Sequence, residues 1–523
     1  MKTTPIGPFL GINNRLPDFS LSIADKGSYV RAADNVEISN AGTVYSRKVP
    51  ELIQAMTGAH SLFNDLYVRA SALYRATFSP FAETLVKVLA SNDRMSYCVI
   101  NGDTYYSNGT DSGRIAANGA VYPWALPTPD SPSVAAIGGS LFKGKYQVAV
   151  GYTNATTGEE GGVSASTNYE LSAVGGLRIT LPAATIGATH INVYVSTVNG
   201  SIPMLQTTVA AGTTTVDVTA HAAGRESNQR YEAPLPAGTR LFEFNGRLCS
   251  VKGNDLFYSL PYRHGYYLPV EGRITFPEDV SIAIGNQSGV FVAADKTYFF
   301  SGQDLGAVDV VRDLLPYGAV PGTEFAIPND TTVGWFGEKG IVLATPDGQA
   351  AAVMADSTDL TPPASGFSVV LETRGYRRVV SCGWCLNLET KAATTYSGWN
   401  ITSASGAYGT KADGIYALEA QGKVDAYVDL GKVNFGAENL KHLPACYATV
   451  ASSAPVTLRV TTPDGDEYDY LARDCDPALR VQRIDPGKGL RENYYGLKLM
   501  NTEGSDLTLA LVSFAPVASG RRI

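Results

Sequence analysis

The chain has 523 residues, 44% of them hydrophobic and only 17% charged, enough for roughly two to four domains with ordinary cores. Forty-one basic against 49 acidic side chains leave a net charge of −8, which argues against a sequence-reading nucleic-acid binder with its basic face. Abundant Gly, Thr, Ser, Tyr and Asn favour strands and turns over helices, and helical signals are confined to Ser71–Tyr74 and Glu438–Lys441.

Residues 1–127 read as an entry segment followed by the first of a series of repeats. The entry segment holds Phe9-Leu-Gly-Ile-Asn-Asn-Arg-Leu-Pro17, a strand at Asn35-Val-Glu-Ile with its turn at Asn40-Ala-Gly42, and Val44-Tyr-Ser-Arg-Lys-Val-Pro50. Its start has no apolar core of signal-peptide type, and no apolar run reaches the length of a bilayer span, so synthesis in a cytoplasm is expected. The repeat returns about every 40–50 residues as short strands joined by tight turns. One copy runs from Leu85 through Asn101-Gly-Asp to Tyr106; others surround Asn245-Gly, Gly285-Asn-Gln-Ser-Gly, Gly337-Glu-Lys-Gly and Lys411-Ala-Asp-Gly. Asn-Gly and Asp-Gly supply the positive φ angles of two-residue hairpins. Antiparallel meanders at this period predict β-propeller blades.

Residues 128–232 break the pattern. Pro127, Pro129 and Pro132 mark the entrance, and Pro234-Leu-Pro236 the exit. About seven short strands without a cysteine pair predict an inserted, independently folding fibronectin-III or Ig-like β-sandwich. Blade repeats resume over 233–432. From 433 to 523 the turn spacing changes again, which predicts either strands that close the propeller or a small terminal sandwich. The fold class is therefore all-β.

Chemistry-bearing motifs are sparse. Cys98, Cys249, Cys382, Cys385, Cys446 and Cys475 show no framework spacing, and Cys382-Gly-Trp-Cys385 reads as buried, reduced thiols on a strand. The five scattered histidines do not complete a zinc set. Asp464-Gly-Asp-Glu467 reads as a hairpin turn, and Pro328-Asn-Asp330 offers a single carboxylate, so no metal or other cofactor is expected. Sialidase-type Asp-box turns, a Gly-x-Ser-x-Gly elbow, a P-loop and His-Glu-x-x-His are all missing. Arg374, Arg377 and Arg378 read as a solvated edge or a subunit contact. The chain is accordingly expected not to be an enzyme.

The entry segment resembles that of phage tail nozzle proteins, also called tail tubular protein B or packaged-DNA stabilization proteins. Gly11-Ile-Asn-Asn-Arg, Asn35-Val with Gly42 and Arg47, and His60-Ser-Leu-Phe carry the likeness. Asn245-Gly-Arg-Leu, Leu256-Phe-Tyr-Ser and Ile274-Thr-Phe agree with the blade sequences of that group. The resemblance covers most of the chain outside 128–232. It implies a virion protein forming a homo-oligomeric ring, usually hexameric, at the distal end of a short tail. Such a ring docks on a tail adaptor or portal-side protein, meets tail fibres, and conducts genomic DNA without binding it tightly. Candidate gate loops are those of Arg263, His264, Tyr266 and Tyr267, and of Asp304. The competing expectation is a host-surface or glycan-binding tail protein on the same scaffold, marked by an aromatic-lined cleft. A propeller glycosidase, the third class, would need carboxylates and arginines converging on one propeller mouth.

Overall fold

The computed structural model describes residues 4–23, 26–436, 439–487 and 489–519. Among these residues the only helical element is a 3-10 turn, Asp18–Ser20; the fold is all-β. The helix expected at Ser71–Tyr74 is a hairpin. Ala70 and Ser71 take φ of 49° and 55°, and strand Leu66–Arg69 returns as Ala72–Phe78. Two consecutive left-handed residues turn the chain back on itself, as in a type I′ turn, before a helical turn can form. Of the second expected helix, Glu438 lies outside the described residues and Lys441–His442 is a strand.

The repeats are blades of propeller type. Residues 60–88, 96–122, 240–275, 282–315 and 325–352 each contribute a four-stranded sheet whose strands neighbour one another in chain order. Residues 368–395 form four strands of the same kind at one end of a nine-stranded sheet. The turns obey the sequence signals. Asn101 and Gly102 have φ of 52° and 85°, and Asn245 and Gly246 have 47° and 75°. One blade is built differently. Ser403–Ser405, Tyr408–Lys411 and Gly414–Ala420 take their fourth strand, Val49–Ala55, from the entry segment. The last blade is thus completed by the entry segment, not by the strands after 433.

The described residues form two compact units, residues 1–87, 291–299 and 312–523 in one, and 88–290 and 300–311 in the other. The second unit contains the insert, whose strands between Ser133 and Val218 form the two sheets of a β-sandwich. Its first strand, Ser133–Leu141, pairs with Gly175–Thr180, and that strand with Thr215–Val218. The facing sheet is centred on Gly144–Asn154 and His190–Ser196. Alternate residues point inward: Val148 and Val150, Leu177 and Ile179, and Ile191 and Val193 are all fully buried.

In the first unit the strands after 433 do not stand alone. Thr4–Ile6, Val36–Ile38 and Val44–Ser46 join Cys446–Ser452 and Leu507–Phe514 in a six-stranded sheet, and Ala32–Asp34 joins Tyr427–Val433 in the nine-stranded sheet. A single apolar core, including Val36, Val428, Leu458, Leu499 and Phe514, fills the space between them. The terminal sandwich is therefore made from both chain ends.

A charge network is buried beside this core. Glu37 and Arg378 each expose 1% of the side chain. Arg378 Nε lies 2.7 Å from Glu37 Oε2, and its Nη2 donates to both oxygens of Glu419 at 2.8 and 2.9 Å. Arg374 also pairs with Glu37, and the Tyr396 hydroxyl donates to Glu37 at 3.3 Å. Burial opposes the Arg378 charge, but Tyr396, Glu37, Cys385 and Glu419 outweigh it and hold the guanidinium above its ordinary pKa. This corrects the solvated-edge reading of the arginine stretch. Arg374 and Gly375 form a hairpin turn (φ 55° and 78°), so Arg378 falls on the inward side of the returning strand Tyr376–Ser381. The Cys382-Gly-Trp-Cys385 run is the next hairpin: Cys382 and Gly383 take φ of 52° and 79°, with Ser381 opposite Trp384. Cys382 sits in that turn, while Cys385 is buried on the strand, where burial pushes its thiol up to about 12.

Removing one member of a buried charge set strands its partner in low dielectric, at a cost of about 3–5 kcal/mol. Arg378→Met is predicted to lower the stability of the first unit by that amount in urea unfolding. Combining it with Glu37→Leu should recover part of the loss.

Candidate functional site

The tyrosine-rich segment that follows strand Asp255–Tyr258 shapes a chemically varied cleft of the second unit. The segment begins with a reversal at Leu260-Pro-Tyr-Arg263, where the Arg263 N–H donates to the Leu260 carbonyl at 3.3 Å. Pro261 supplies the fixed φ of the first central position. Tyr262 takes φ of +61° at the second, where a type II turn normally places glycine. The chain then passes through His264 and Gly265 into the short strand Tyr266–Tyr267, which pairs with Ala233–Pro234. A side chain at Gly265 would meet the Trp124 carbonyl at 1.8 Å, so the residue there has to be glycine for the segment to lie against residues 124–126.

Tyr266 is the fastening point. Its buried hydroxyl accepts from the Leu126 N–H at 2.8 Å and donates to Glu159 Oε1 at 2.6 Å. Burial, reinforced by Glu159, raises this phenol above its ordinary pKa and keeps it a donor. The Arg263 guanidinium stacks on the same ring, 4.4 Å from its centroid. Arg263 Nε donates to Glu232 at 2.8 Å, and Nη2 to the Glu160 carbonyl at 2.6 Å. The segment is thus stitched to the inserted sandwich through strand Glu159–Val163.

The opposite wall comes from the blade at 96–122. Asp103 opens strand Asp103–Ser107, directly after the Asn101-Gly102 turn. It holds Arg114 at 3.1 Å and accepts the Ala117 N–H at 3.1 Å. Tyr105, two residues on and on the same face, meets the His264 ring edge-on with centroids 5.9 Å apart. His264 Nδ1 and Arg114 Nε are buried and without a hydrogen-bond partner among the described residues. Together these groups and Trp124 enclose about 310 Å³. That volume lies within the range of small-ligand sites, about 300–1,000 Å³.

The sequence-derived site residues separate on the structure. Arg263, His264 and Tyr266 line this one cleft. Tyr267 is half-buried and packs edge-on against Phe257. Asp304 lies apart from the cleft and pairs with Arg247 at 2.8 Å; burial raises its pKa, but Arg247 more than offsets this and the carboxylate ends below its usual range. Sequence reasoning missed Asp103, Tyr105, Arg114, Trp124 and Glu159, because each looks like an ordinary strand or turn residue. The aromatic density around 258–267 was the only local signal. Among the described residues no cluster of His, Cys, Asp and Glu is arranged to hold a metal ion.

No family model matches the chain, and no curated protein does. Solved structures to which the chain shows similarity include the C-terminal WD40 domain of Sif2, at 10% identity over 71% of this chain and 99% of that one, with a TM-score of 0.31. BamB from Moraxella catarrhalis is 11% identical over 70% and 96%, with a TM-score of 0.28. A glycoside hydrolase family 43 arabinoxylan arabinofuranohydrolase from Bacillus subtilis is 9% identical over 98% and 99%, with a TM-score of 0.17. TM-scores this low support no inference about function, and the blade assignment stands on the strand pairing itself. The expectation that the chain is not an enzyme falls as well. The physical reason is that a propeller can assemble a site from separate blades, so a missing local motif excludes nothing.

His264 supplies a pH test. Burial lowers its pKa below the ordinary 6.5, against the opposing pull of Asp103 and Glu243, and Arg114 lowers it further. The neutral ring is the folded form, so its contribution to stability is complete above pH 6.5 and is lost as pH falls. The unfolding temperature should drop between pH 7 and pH 5, and His264→Gln should flatten that drop.

Proposed function

We propose that this chain is a virion tail protein of nozzle type, a propeller-bearing subunit of a ring that conducts DNA during ejection. The observation that carries this reading is the work done by the residues behind the sequence resemblance. Asn13 Oδ1 accepts the N–H groups of Arg15 and Leu16 at 3.1 and 2.9 Å, closing the Gly11-Ile-Asn-Asn-Arg turn. Asn35, at φ +54°, donates to the Asp425 carbonyl at 2.9 Å and accepts from Arg47 Nε at 2.7 Å. Arg47 is buried over the rings of Tyr396 and Trp399, at 5.4 and 5.5 Å. The Leu62 N–H of His60-Ser-Leu-Phe donates to the Ser403 hydroxyl oxygen at 2.8 Å. Asn13, Asn35, Arg47 and Leu62 thus each have a defined structural task, as a shared architecture would require.

The ring would be homo-oligomeric, with closed cyclic symmetry avoiding open-ended filaments. Its docking partner would be a tail adaptor or portal-side protein. An acidic chain with a net charge of −8 suits a channel that lets phosphates slide, because tight phosphate contacts would brake the genome.

A second reading, a host-surface or glycan-binding tail protein on the same scaffold, is favoured by the aromatic and carboxylate lining of the second unit's cleft. Imaging the chain bound to its adaptor separates the two. The nozzle reading predicts a ring with an axial opening. Single copies on the adaptor, or a trimer without an axial opening, would remove it.

A further inference from the structure

Tyr262 is the unexplained residue of the cleft. Its left-handed φ of +61° costs a residue with a Cβ roughly 1–2 kcal/mol. Glycine would occupy the same turn position without that cost. Burial does not compensate, because the side chain is 91% exposed. Strained residues of this kind cluster at active sites and ligand clamps. What Tyr262 presents is a phenol ring at the edge of a cleft that also contains Tyr105, Trp124 and Tyr266.

We infer that this cleft binds an uncharged sugar ring of a glycan, with Tyr262 as its stacking platform. The proposal rests on the second reading above and gives that reading a site and a ligand class. Aromatic faces pair with the C–H face of a pyranose, while its hydroxyls need acceptors and donors at the rim. Acceptors are present: Glu159 takes the Tyr266 hydroxyl on Oε1, leaving Oε2 to accept, and Asp103 stands on the opposite wall. Among the described lining residues both guanidiniums are already ion-paired, which leaves little for an acidic sugar. Arg114 is held by Asp103, and Arg263 by Glu232. Counting Glu232 behind the wall, three carboxylates face two guanidiniums, which disfavours a ligand bearing a carboxylate or sulfate.

The test uses the full-length protein on an array of neutral and acidic glycans, with calorimetry on the best neutral oligosaccharide. The variants are Tyr262→Gly, which removes both ring and strain, and Tyr262→Phe, which keeps the ring. The proposal expects binding to neutral glycans and retention by Tyr262→Phe. Tyr262→Gly should raise Kd at least tenfold, equivalent to about 1.4 kcal/mol, with an unchanged or higher unfolding temperature. Binding of neutral glycans equally by wild type and Tyr262→Gly would leave the glycan reading intact and overturn this site. Binding of acidic glycans alone would overturn the ligand class. A Tyr262→Gly protein with a lowered unfolding temperature would assign the ring a packing role and overturn the strain argument. Failure to bind any glycan would overturn the site and the second reading together.

Discussion

A carboxylate removed from water has to find a cation, and much of the first unit is arranged around one such carboxylate. Glu37 sits on a strand of the entry segment, and its partner Arg378 sits on a blade strand far along the chain. Arg378 in turn holds Glu419, on the strand beside which Val49–Ala55 completes the last blade. One charge network therefore links the entry strand, two blades and the terminal sandwich. Because an unpaired member is so costly, the sheets have little freedom to slip in register. Apolar packing alone would tolerate more than one arrangement.

The same physics operates in the second unit on a smaller scale. Tyr266 and Arg263 fix the turn to the inserted sandwich through a phenol hydrogen bond, a ring stack and a carboxylate. The fixed base lets the neighbouring Tyr262 remain exposed in a strained backbone conformation. Strain at a surface position persists only where the surroundings over-determine it. Here those surroundings are the Leu260–Arg263 hydrogen bond and the Tyr266–Glu159 contact.

The blades were legible in the sequence because their turns are local. Asn101-Gly102 and Asn245-Gly246 carry the needed φ values in their own side-chain chemistry. The inserted sandwich was legible for a similar reason, since Val148, Val150, Ile191 and Val193 alternate in period two. Three features were not. Cys382-Gly383 and Arg374-Gly375 turn as Asn-Gly does, but neither Cys nor Arg signals a left-handed residue, so the first read as strand and the second as a solvated edge or subunit contact. Val49–Ala55 pairs with a strand at the other end of the chain, and period-two alternation gives no partner. The burial of Glu37 and Arg378 depends on the same long-range pairing. The cleft was half legible: its tyrosines stood out, but Asp103 and Glu159 became site residues only once two distant segments met.

The central claim is that the entry segment and the propeller blades of the first unit are held as one cooperative body by the Glu37–Arg378–Glu419 network. Hydrogen exchange on the wild type and on Glu37→Gln tests it most directly. The account predicts that strands Val36–Ile38, Tyr376–Ser381 and Gly414–Ala420 lose protection together in the variant, because each is anchored by the same charge set. Loss of protection in Val36–Ile38 alone, with the two blade strands unchanged, would contradict it.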